Sequence, residues 1–337
     1  MKVAAKPAAN ALLGLVALLI GLLLSLIVLE AGVRIAFHRG MNFDIEMWKY
    51  AREIKRIAGV EAIGHEHTPG SRAFLMGVEV VINDKKLRDV AMDYAPPPGE
   101  RRILMLGDSL TFGWGVAEEL TTSTLLENLL NDDPKRGANR FQVINTGVGN
   151  YNTAMEVAYF LHEGYRYKPE LVVLNHFIND AEPTPRRRQS VLLDHFQAAV
   201  FLAGRFDLLK RNYFGGGNWA SYYRDLYRPD APGLKQAEES LLRLGERCRQ
   251  LAIPLMIVHS PELHELQPYR FPEARQWLAS QAGALGATFV DLLPAVEKEK
   301  AESLWVTPGD AHPNGRANRL YARVLFEAVT PYFFKMF

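Results

Sequence analysis

Residues 101–113 read RRILMLGDSLTFG, in which a short apolar run at 103–106 leads directly into a glycine and a serine. Further apolar runs of similar length follow, separated from one another by longer segments with helical spacing. They lie at 142–145, 171–175, 254–259 and 288–292. Near-continuous apolar strands that alternate with helices indicate parallel strands covered on both faces. The pattern predicts a flavodoxin-like three-layer α/β/α sandwich with a five-stranded parallel sheet.

The predicted sandwich covers residues 101–337, and a membrane anchor is predicted at residues 1–35. Positions 11–29 read ALLGLVALLIGLLLSLIVL, and a helix of this length spans about 28 Å, close to the thickness of a bilayer's hydrocarbon core. The run ends in Leu29-Glu30-Ala31, a poor signal-peptidase site, so an uncleaved anchor is the preferred interpretation. A cleaved signal peptide and a buried helix are the alternatives.

Two further segments depart from the strand–helix alternation. Residues 36–100 are predicted to form an α+β extension, with a helix at 44–57, a hairpin at 73–90 that turns at Asn83-Asp84, and a proline-rich linker at its end. Residues from about 181 to 233 are rich in aromatic side chains and are predicted to be a mostly helical insertion, either a lid or a membrane contact.

The charges around the apolar run predict its orientation. Lys2 and Lys6 precede the run, whereas Arg34 follows it beside Glu30. The positive-inside rule therefore favours a cytoplasmic amino terminus, with the body of the protein on the far side of the membrane. A single cysteine, Cys248, fits an oxidising compartment. We expect a single-pass membrane protein whose catalytic domain is extracytoplasmic, on the periplasmic side in a Gram-negative cell.

The composition excludes several classes of protein. Hydrophobic residues make up 48% and charged residues 23% of the 337 positions, which excludes wholesale disorder. Lysine plus arginine (39) nearly balances aspartate plus glutamate (38), so no basic field attracts nucleic acid. One cysteine builds neither a disulfide framework nor a cysteine zinc site. His65-Glu66-His67 lacks a third ligand and is interpreted as surface, so no metal and no cofactor are predicted.

Polar motifs follow three of the predicted strands and precede the last helix. Ser109 comes just after the first strand, a glycine-rich turn at 145–153 follows the second, and Asn179 follows the third. Asp310 and His312 stand two residues apart near the carboxyl end, a spacing that suits a carboxylate orienting an imidazole. Each motif alone also fits a capped turn. Together, at the carboxyl edge of one sheet, they favour a catalytic site.

With these motifs in place, the sequence resembles the SGNH/GDSL hydrolases, and in particular their membrane-anchored bacterial branch. The resemblance covers residues from about 101 to the carboxyl terminus. It implies Ser109 as the nucleophile, His312 as the general base and Asp310 as the residue that orients the imidazole. It also implies an oxyanion hole, formed by the Ser109 N–H, a backbone N–H of the second motif at Gly149 or Asn150, and the Asn179 side chain.

The sequence departs from the family pattern at three positions. Asn150 stands where the second motif usually has its oxyanion glycine, and Phe177 stands where the third motif often has glycine. A backbone donor needs no particular side chain, and asparagine tolerates left-handed geometry. The last motif, Asp310-Ala311-His312, is one residue shorter than the common form.

The preferred function is a membrane-anchored serine esterase that removes acyl groups, such as acetyl, from a glycan or a lipid. The first alternative is an O-acyltransferase that acetylates a glycan and depends on a membrane protein as acyl donor. An alternative of another class is an inactive subunit that keeps the fold for binding or assembly. The expected partners are therefore an acyl-ester substrate and the membrane, and no nucleic acid.

Overall fold

The structure, a computed structural model, describes residues 5–38, 42–184, 190–214 and 219–334. The strands in chain order are β1 Lys55–Ile57, β2 His65–His67, β3 Arg72–Leu75, β4 Val78–Val81, β5 Glu100–Gly107, β6 Arg140–Asn145, β7 Leu171–His176, β8 Leu255–His259, β9 Thr288–Asp291, β10 Trp305–Thr307 and β11 Asp310–Pro313. The helices are α1 Ala5–Ala36, α2 Phe43–Lys49, α3 Ser109–Phe112, α4 Thr122–Asp132, α5 Thr153–His162, α6 Val191–His195, α7 Gln197–Phe214, α8 Trp219–Leu226, α9 Pro232–Gln250, α10 Pro272–Leu285, α11 Leu293–Val296 and α12 Gly315–Phe333.

The central sheet contains β5 to β9, in the spatial order β6-β5-β7-β8-β9, and every neighbouring pair is parallel. This confirms the predicted five-stranded parallel sheet and its flavodoxin-like strand order. The order reverses between β5 and β7, which both leave the sheet at the same edge. A doubly wound sheet binds its ligands outside the carboxyl ends of the strands at such a switch point.

The two faces of the sheet are covered by different helices. Alternate residues of a strand point to opposite faces, so Leu104 and Leu106 of β5 enter one core and Ile103 and Met105 enter the other. The first core is completed by apolar side chains of α5, α9 and α10. The second is completed by α4 and α12. The sheet is thus buried on both faces, as its near-continuous apolar strands require.

The chain forms two compact units. The first comprises Met1–Trp48 and Arg187–Gly216, and the second comprises Lys49–Arg186 and Gly217–Phe337. The second unit contains the central sheet and also residues 49–94, so the predicted linker at 95–99 lies inside it. In the first unit, α1 includes a 27-residue segment, Asn10–Ala36, that is long and apolar enough to cross a membrane, with a mean hydropathy of 3.1. Such a helix fits an anchor or a signal sequence.

The extension differs in detail from its prediction. The antiparallel hairpin β3–β4 turns at Met76-Gly77, not at Asn83-Asp84. Met76 (φ 50°) and Gly77 (φ 80°) both adopt left-handed geometry, as the tight turns of two-residue hairpins require. The Asn83 side chain instead accepts the N–H groups of Lys85 and Leu87 and so organises an irregular loop. The predicted helix at 44–57 is shorter: α2 is followed by a π-helical turn, Tyr50–Ile54, and then by β1.

Candidate active site

Ser109 lies at the sharp turn where β5 passes into α3. The Asp108 carboxylate caps this turn by accepting the N–H of Leu110 at 2.9 Å. A Cβ atom on Gly107 would lie 2.1 Å from the Thr111 hydroxyl oxygen, so the turn is too tight for any residue but glycine at this position. Ser109 is 9% exposed. Because this turn directly follows β5, the Ser109 hydroxyl lies at the carboxyl edge of the sheet.

The short hairpin β10–β11 places the last motif beside this serine. His312 Nε2 lies 2.9 Å from Ser109 Oγ. On the other side of the ring, His312 Nδ1 lies 2.5 Å from Asp310 Oδ1. The same carboxylate oxygen also accepts the backbone N–H of His312 at 3.1 Å. The structure therefore brings Ser109, His312 and Asp310 into one hydrogen-bonded series, and the shortened motif closes through this local turn.

Asp310 is held as a carboxylate by its hydrogen bonds. Burial acts to raise its pKa, but the hydrogen bond and charge of His312 and the indole N–H of Trp114 outweigh burial, so the pKa lies below its ordinary value. Trp114 Nε1 donates to Asp310 Oδ2 at 3.0 Å. An ionised Asp310 only accepts, which places the imidazole proton on Nδ1 and leaves Nε2 free to accept from Ser109.

A second buried carboxylate lies next to the serine. Asp108 Oδ2 is 3.3 Å from Ser109 Oγ, and burial raises the pKa of Asp108, against hydrogen bonds from Leu110, Asn179 and Ser109 and the charge of His312. Asn179, in the 3-10 turn after β7, is therefore positioned at this site through its contact with Asp108. Its side-chain oxygen has no partner in the described part of the chain.

The glycine-rich turn after β6 approaches α3 very closely. Asn145 Oδ1 accepts the N–H of Gly147 at 3.0 Å, and a Cβ atom on Gly147 would lie 2.1 Å from the backbone nitrogen of Phe112. The Gly149 N–H donates to Tyr50 Oη at 2.9 Å and is therefore already engaged. Asn150 follows with φ +66°.

Two of the backbone donors at this edge are the N–H groups of Ser109 and Asn150. Neither N–H donates a hydrogen bond to another group in residues 42–184 or 219–334. Of the two donors predicted for the second motif, the Gly149 N–H is thus occupied by Tyr50, and the Asn150 N–H is not occupied by these residues.

Several contributors to the site were not predicted. Trp114 contacts Asp310, and its position five residues after Ser109 was the signal available. Arg88 is 1% exposed, and its guanidinium donates to the carbonyl oxygens of Phe112, Gly113 and Val116 behind α3. Nothing in the local sequence marks Arg88 for this role.

The interpretation of His65-Glu66-His67 as surface is wrong. His67 is 1% exposed, and His65 is half-buried and contacts the Gly149 carbonyl oxygen. The alternation of histidines in a short strand was the signal that both rings share one face. Among the described residues, no group of three or more His, Cys, Asp or Glu side chains is placed to hold a metal ion.

A serine, a histidine and an aspartate in hydrogen-bond contact at the carboxyl edge of a parallel sheet are the arrangement typical of a serine hydrolase. Residues 105–320 match the model of the GDSL-like lipase/acylhydrolase family. The chain belongs to this family, and it is an enzyme of the GDSL/SGNH hydrolase type. No curated protein matches the sequence.

Several solved structures are similar to the chain. TesA is 15% identical, with a TM-score of 0.46 over 69% of this chain and 99% of that one. The lipase/acylhydrolase from Enterococcus faecalis is 14% identical, with a TM-score of 0.44 over 68% and 96%. The psychrotrophic esterase EstA from Pseudoalteromonas sp. is 14% identical, with a TM-score of 0.44 over 69% and 98%.

Proposed function

We propose that the protein is a membrane-anchored, extracytoplasmic serine esterase that removes acyl groups from a glycan or a lipid. The observation that supports this most directly is the pair of contacts on one imidazole, Ser109 Oγ at 2.9 Å from Nε2 and Asp310 Oδ1 at 2.5 Å from Nδ1 of His312. This geometry lets one ring take a proton from the serine while the carboxylate stabilises the resulting imidazolium.

The reaction follows from the placement of the donors and acceptors. His312 Nε2 takes the hydroxyl proton of Ser109 as Oγ bonds to the ester carbonyl carbon. The resulting oxyanion accepts hydrogen bonds from the backbone N–H groups of Ser109 and Asn150, and the side-chain amide of Asn179 is the third donor. The tetrahedral intermediate then expels the alcohol, which takes the proton from His312, and leaves an acyl-serine. Water hydrolyses the acyl-serine by the same steps.

Contacts within the first unit support a retained anchor. Glu30, which directly follows the apolar run, accepts the N–H groups of Gln197 (3.1 Å) and Ala198 (2.8 Å) at the start of α7. Val33 is buried in the same small cluster as Ala198 and Ile45. Cleavage after Ala31 would remove the carboxylate that caps α7.

The exposed face of the same unit supports a position at the membrane surface. Helices α6 and α7 leave large apolar side chains in solvent, with Phe206 70% exposed. The others are Leu192, Leu193, Phe196, Leu202 and Leu209. Apolar side chains that flank a spanning helix and lack protein cover suit the interfacial region of a bilayer. This location supports a substrate that is held at the membrane surface, either a lipid or a membrane-linked glycan.

The anchor leads to a prediction about the mature protein. We expect the chain purified from membranes to have the intact mass that includes Glu30, and to stay in the membrane pellet after alkaline carbonate extraction. A carboxyl-terminal alkaline phosphatase fusion should be active, whereas a green fluorescent protein fusion at the same site should be dark if exported through the general secretory route. A mature chain that begins near residue 32, or a bright fluorescent fusion with an inactive phosphatase, would contradict this assignment.

The esterase assignment is tested by covalent labelling. The full chain in detergent, treated with a fluorophosphonate, should be labelled once, on the tryptic peptide that contains Ser109, and should hydrolyse p-nitrophenyl acetate. The Ser109→Ala variant should do neither. A folded wild-type chain that is not labelled would support a binding subunit instead. Labelling with a burst of only about one equivalent of p-nitrophenol per chain, and with turnover only after a sugar acceptor is added, would identify an acyltransferase.

A further inference from the structure

The peptide bond between Gly149 and Asn150 is held by residues of the extension. The Gly149 carbonyl oxygen accepts a hydrogen bond from Lys55 Nζ at 2.8 Å, and His65 Nε2 lies 3.0 Å from the same oxygen. His65 Nε2 also lies 3.3 Å from Lys55 Nζ, and because a carbonyl oxygen can only accept, its shorter contact with Gly149 is a hydrogen bond in the tautomer that has the proton on Nε2. Lys55 Nζ also donates to Asn150 Oδ1 at 3.1 Å. One carbonyl therefore receives two donors from outside its own loop.

The preceding N–H group is fixed just as tightly. Gly149 N–H donates to Tyr50 Oη at 2.9 Å, and the Tyr50 hydroxyl lies 2.7 Å from His67 Nε2. His67 Nδ1 donates to the Lys86 carbonyl oxygen at 3.0 Å, so Nε2 is the acceptor for the tyrosine hydroxyl. Burial lowers the pKa of His67 to about 3, which keeps this acceptor neutral near pH 7. The direction of every hydrogen bond in this series is thus determined.

The short sheet β1–β2 explains why these side chains act together. Lys55 pairs with His67, and Ile57 pairs with His65. Since residues two apart on a strand share a face, Lys55, His65 and His67 all lie on one face of this sheet. Arg56 and Glu66 lie on the other face, where they form an ion pair at 2.7 Å. The face that meets the turn after β6 is therefore the one that carries Lys55, His65 and His67.

We propose that Lys55 is a positioning residue for the oxyanion hole, because by holding the Gly149 carbonyl it aims and polarises the Asn150 N–H. The inference rests on the proposed function. The C=O and N–H of a trans peptide point in opposite directions, so a fixed carbonyl fixes the direction of the N–H. A donor on the carbonyl oxygen also strengthens the N–H of the same peptide as a donor.

Lys55 also stabilises the backbone conformation of Asn150. The left-handed φ of +66° is uncommon for a residue other than glycine and persists where neighbouring groups hold it. The Lys55 amine is such a neighbouring group, because it donates to Asn150 Oδ1. Burial lowers the pKa of Lys55 to about 7, but an amine retains N–H donors in both charge states, so the contact survives titration.

The test replaces Lys55 with methionine, which keeps the length and the apolar stem but removes the donors. We expect kcat for p-nitrophenyl acetate to fall about 10- to 100-fold with KM unchanged. This fall in kcat does not exceed the one that follows the removal of a whole oxyanion donor. The inhibition constant of phenylboronic acid, which forms a tetrahedral adduct on a nucleophilic serine, should rise by a similar factor. Lys55→Arg should restore most of both. The matched control is Lys85→Met in the same extension, where Lys85 contacts Asp84 and not Gly149.

Specific results overturn the inference. Wild-type kcat and boronate affinity in the Lys55→Met variant would do so, as would a fall in kcat with unchanged boronate affinity, or a Lys55→Arg variant as slow as the methionine variant. If circular dichroism shows that Lys55→Met does not fold, His65→Leu is the second variant. It removes the other donor to the Gly149 carbonyl oxygen, and it must also raise the inhibition constant of phenylboronic acid. The proposed function fails separately, through wild-type turnover that does not depend on Ser109.

Discussion

Replacing Ser109 with alanine is expected to lower kcat/KM for p-nitrophenyl acetate by on the order of 10⁴-fold or more, because the nucleophile is removed from an otherwise intact site. Replacing His312 with alanine should lower kcat/KM about as much, since it removes the ring nitrogen that accepts the Ser109 proton, 2.9 Å from Oγ. The Ser109→Ala/His312→Ala double variant should be no slower than either single variant. When two residues act in the same catalytic step, removing either one abolishes that step, so the effects of the two substitutions on the rate do not multiply.

The control for this series is another buried serine. Ser240 donates to the Gln236 carbonyl oxygen within α9 at 2.7 Å. Ser240→Ala should cost about 1 kcal/mol of unfolding free energy and leave kcat/KM within about twofold, since it removes no group that meets the substrate. Turnover retained by Ser109→Ala, or single-variant effects that multiply in the double variant, would contradict the assignment of Ser109 and His312 to one catalytic unit.

The sheet could be predicted because its signal is local. Each central strand is an apolar run bounded by turn residues, and a parallel strand buried on both faces needs no partner to be recognised. The run predicted at 171–175 forms Leu171–His176, and that at 142–145 forms Arg140–Asn145. The errors are at the strand ends, where pairing with the neighbour sets the last residue.

The approach of Ser109 to the turn after β6 and to Asn179 after β7 could be predicted from topology, whereas the last motif reaches Ser109 through the separate hairpin β10–β11. Motifs at the carboxyl ends of parallel strands meet at one edge of the sheet, so residues far apart in sequence converge without any direct signal between them. The same reasoning does not apply to the extension. Lys55 contacts a carbonyl 94 residues further along the chain, and neither its strand nor its charge distinguishes it from a solvated lysine.

The insertion shows another limit of local patterns. Its aromatic and apolar composition predicted helices, and α6, α7 and α8 are the result. That Arg187–Gly216 belongs to one compact unit with Met1–Trp48 depends on contacts such as that between the rings of Phe37 and Phe201, 5.3 Å apart. Tertiary packing of this kind has no periodicity to detect.

Replacing Asp310 with asparagine should lower kcat by about 10³- to 10⁴-fold although the shape of the side chain is kept. Asp310 accepts on both oxygens, from His312 on Oδ1 and from Trp114 on Oδ2. An asparagine has one acceptor and one donor at its end. If its oxygen faces Trp114, its amide donates to His312 Nδ1, and the imidazole proton moves to Nε2, where it blocks the transfer from Ser109.

The matched control is another histidine–aspartate pair, in which His259 Nδ1 contacts Asp291 Oδ1 at 2.8 Å. Asp291→Asn changes a carboxylate of the same kind and should lower the unfolding midpoint while keeping kcat within about threefold, because removing a structural partner acts on stability. An Asp310→Asn variant within tenfold of wild type, or an Asp291→Asn variant that is equally inactive, would contradict the proposed role of Asp310.

Trp114 makes the asparagine argument sharper, because its indole N–H favours the inactive orientation of the new amide, whereas the backbone N–H of His312, which also donates to Oδ1, favours the active one. Trp114→Phe alone should lower kcat about threefold to tenfold, since it removes one hydrogen bond from Asp310. In the Asp310→Asn background the same change should raise kcat by about tenfold, because the amide oxygen is then free to turn towards His312 and restore the Nδ1–H tautomer. A change of sign between the two backgrounds, measured on p-nitrophenyl acetate, would show that the carboxylate acts by setting the tautomer of His312. A further loss of kcat in the double variant would contradict this role of Trp114.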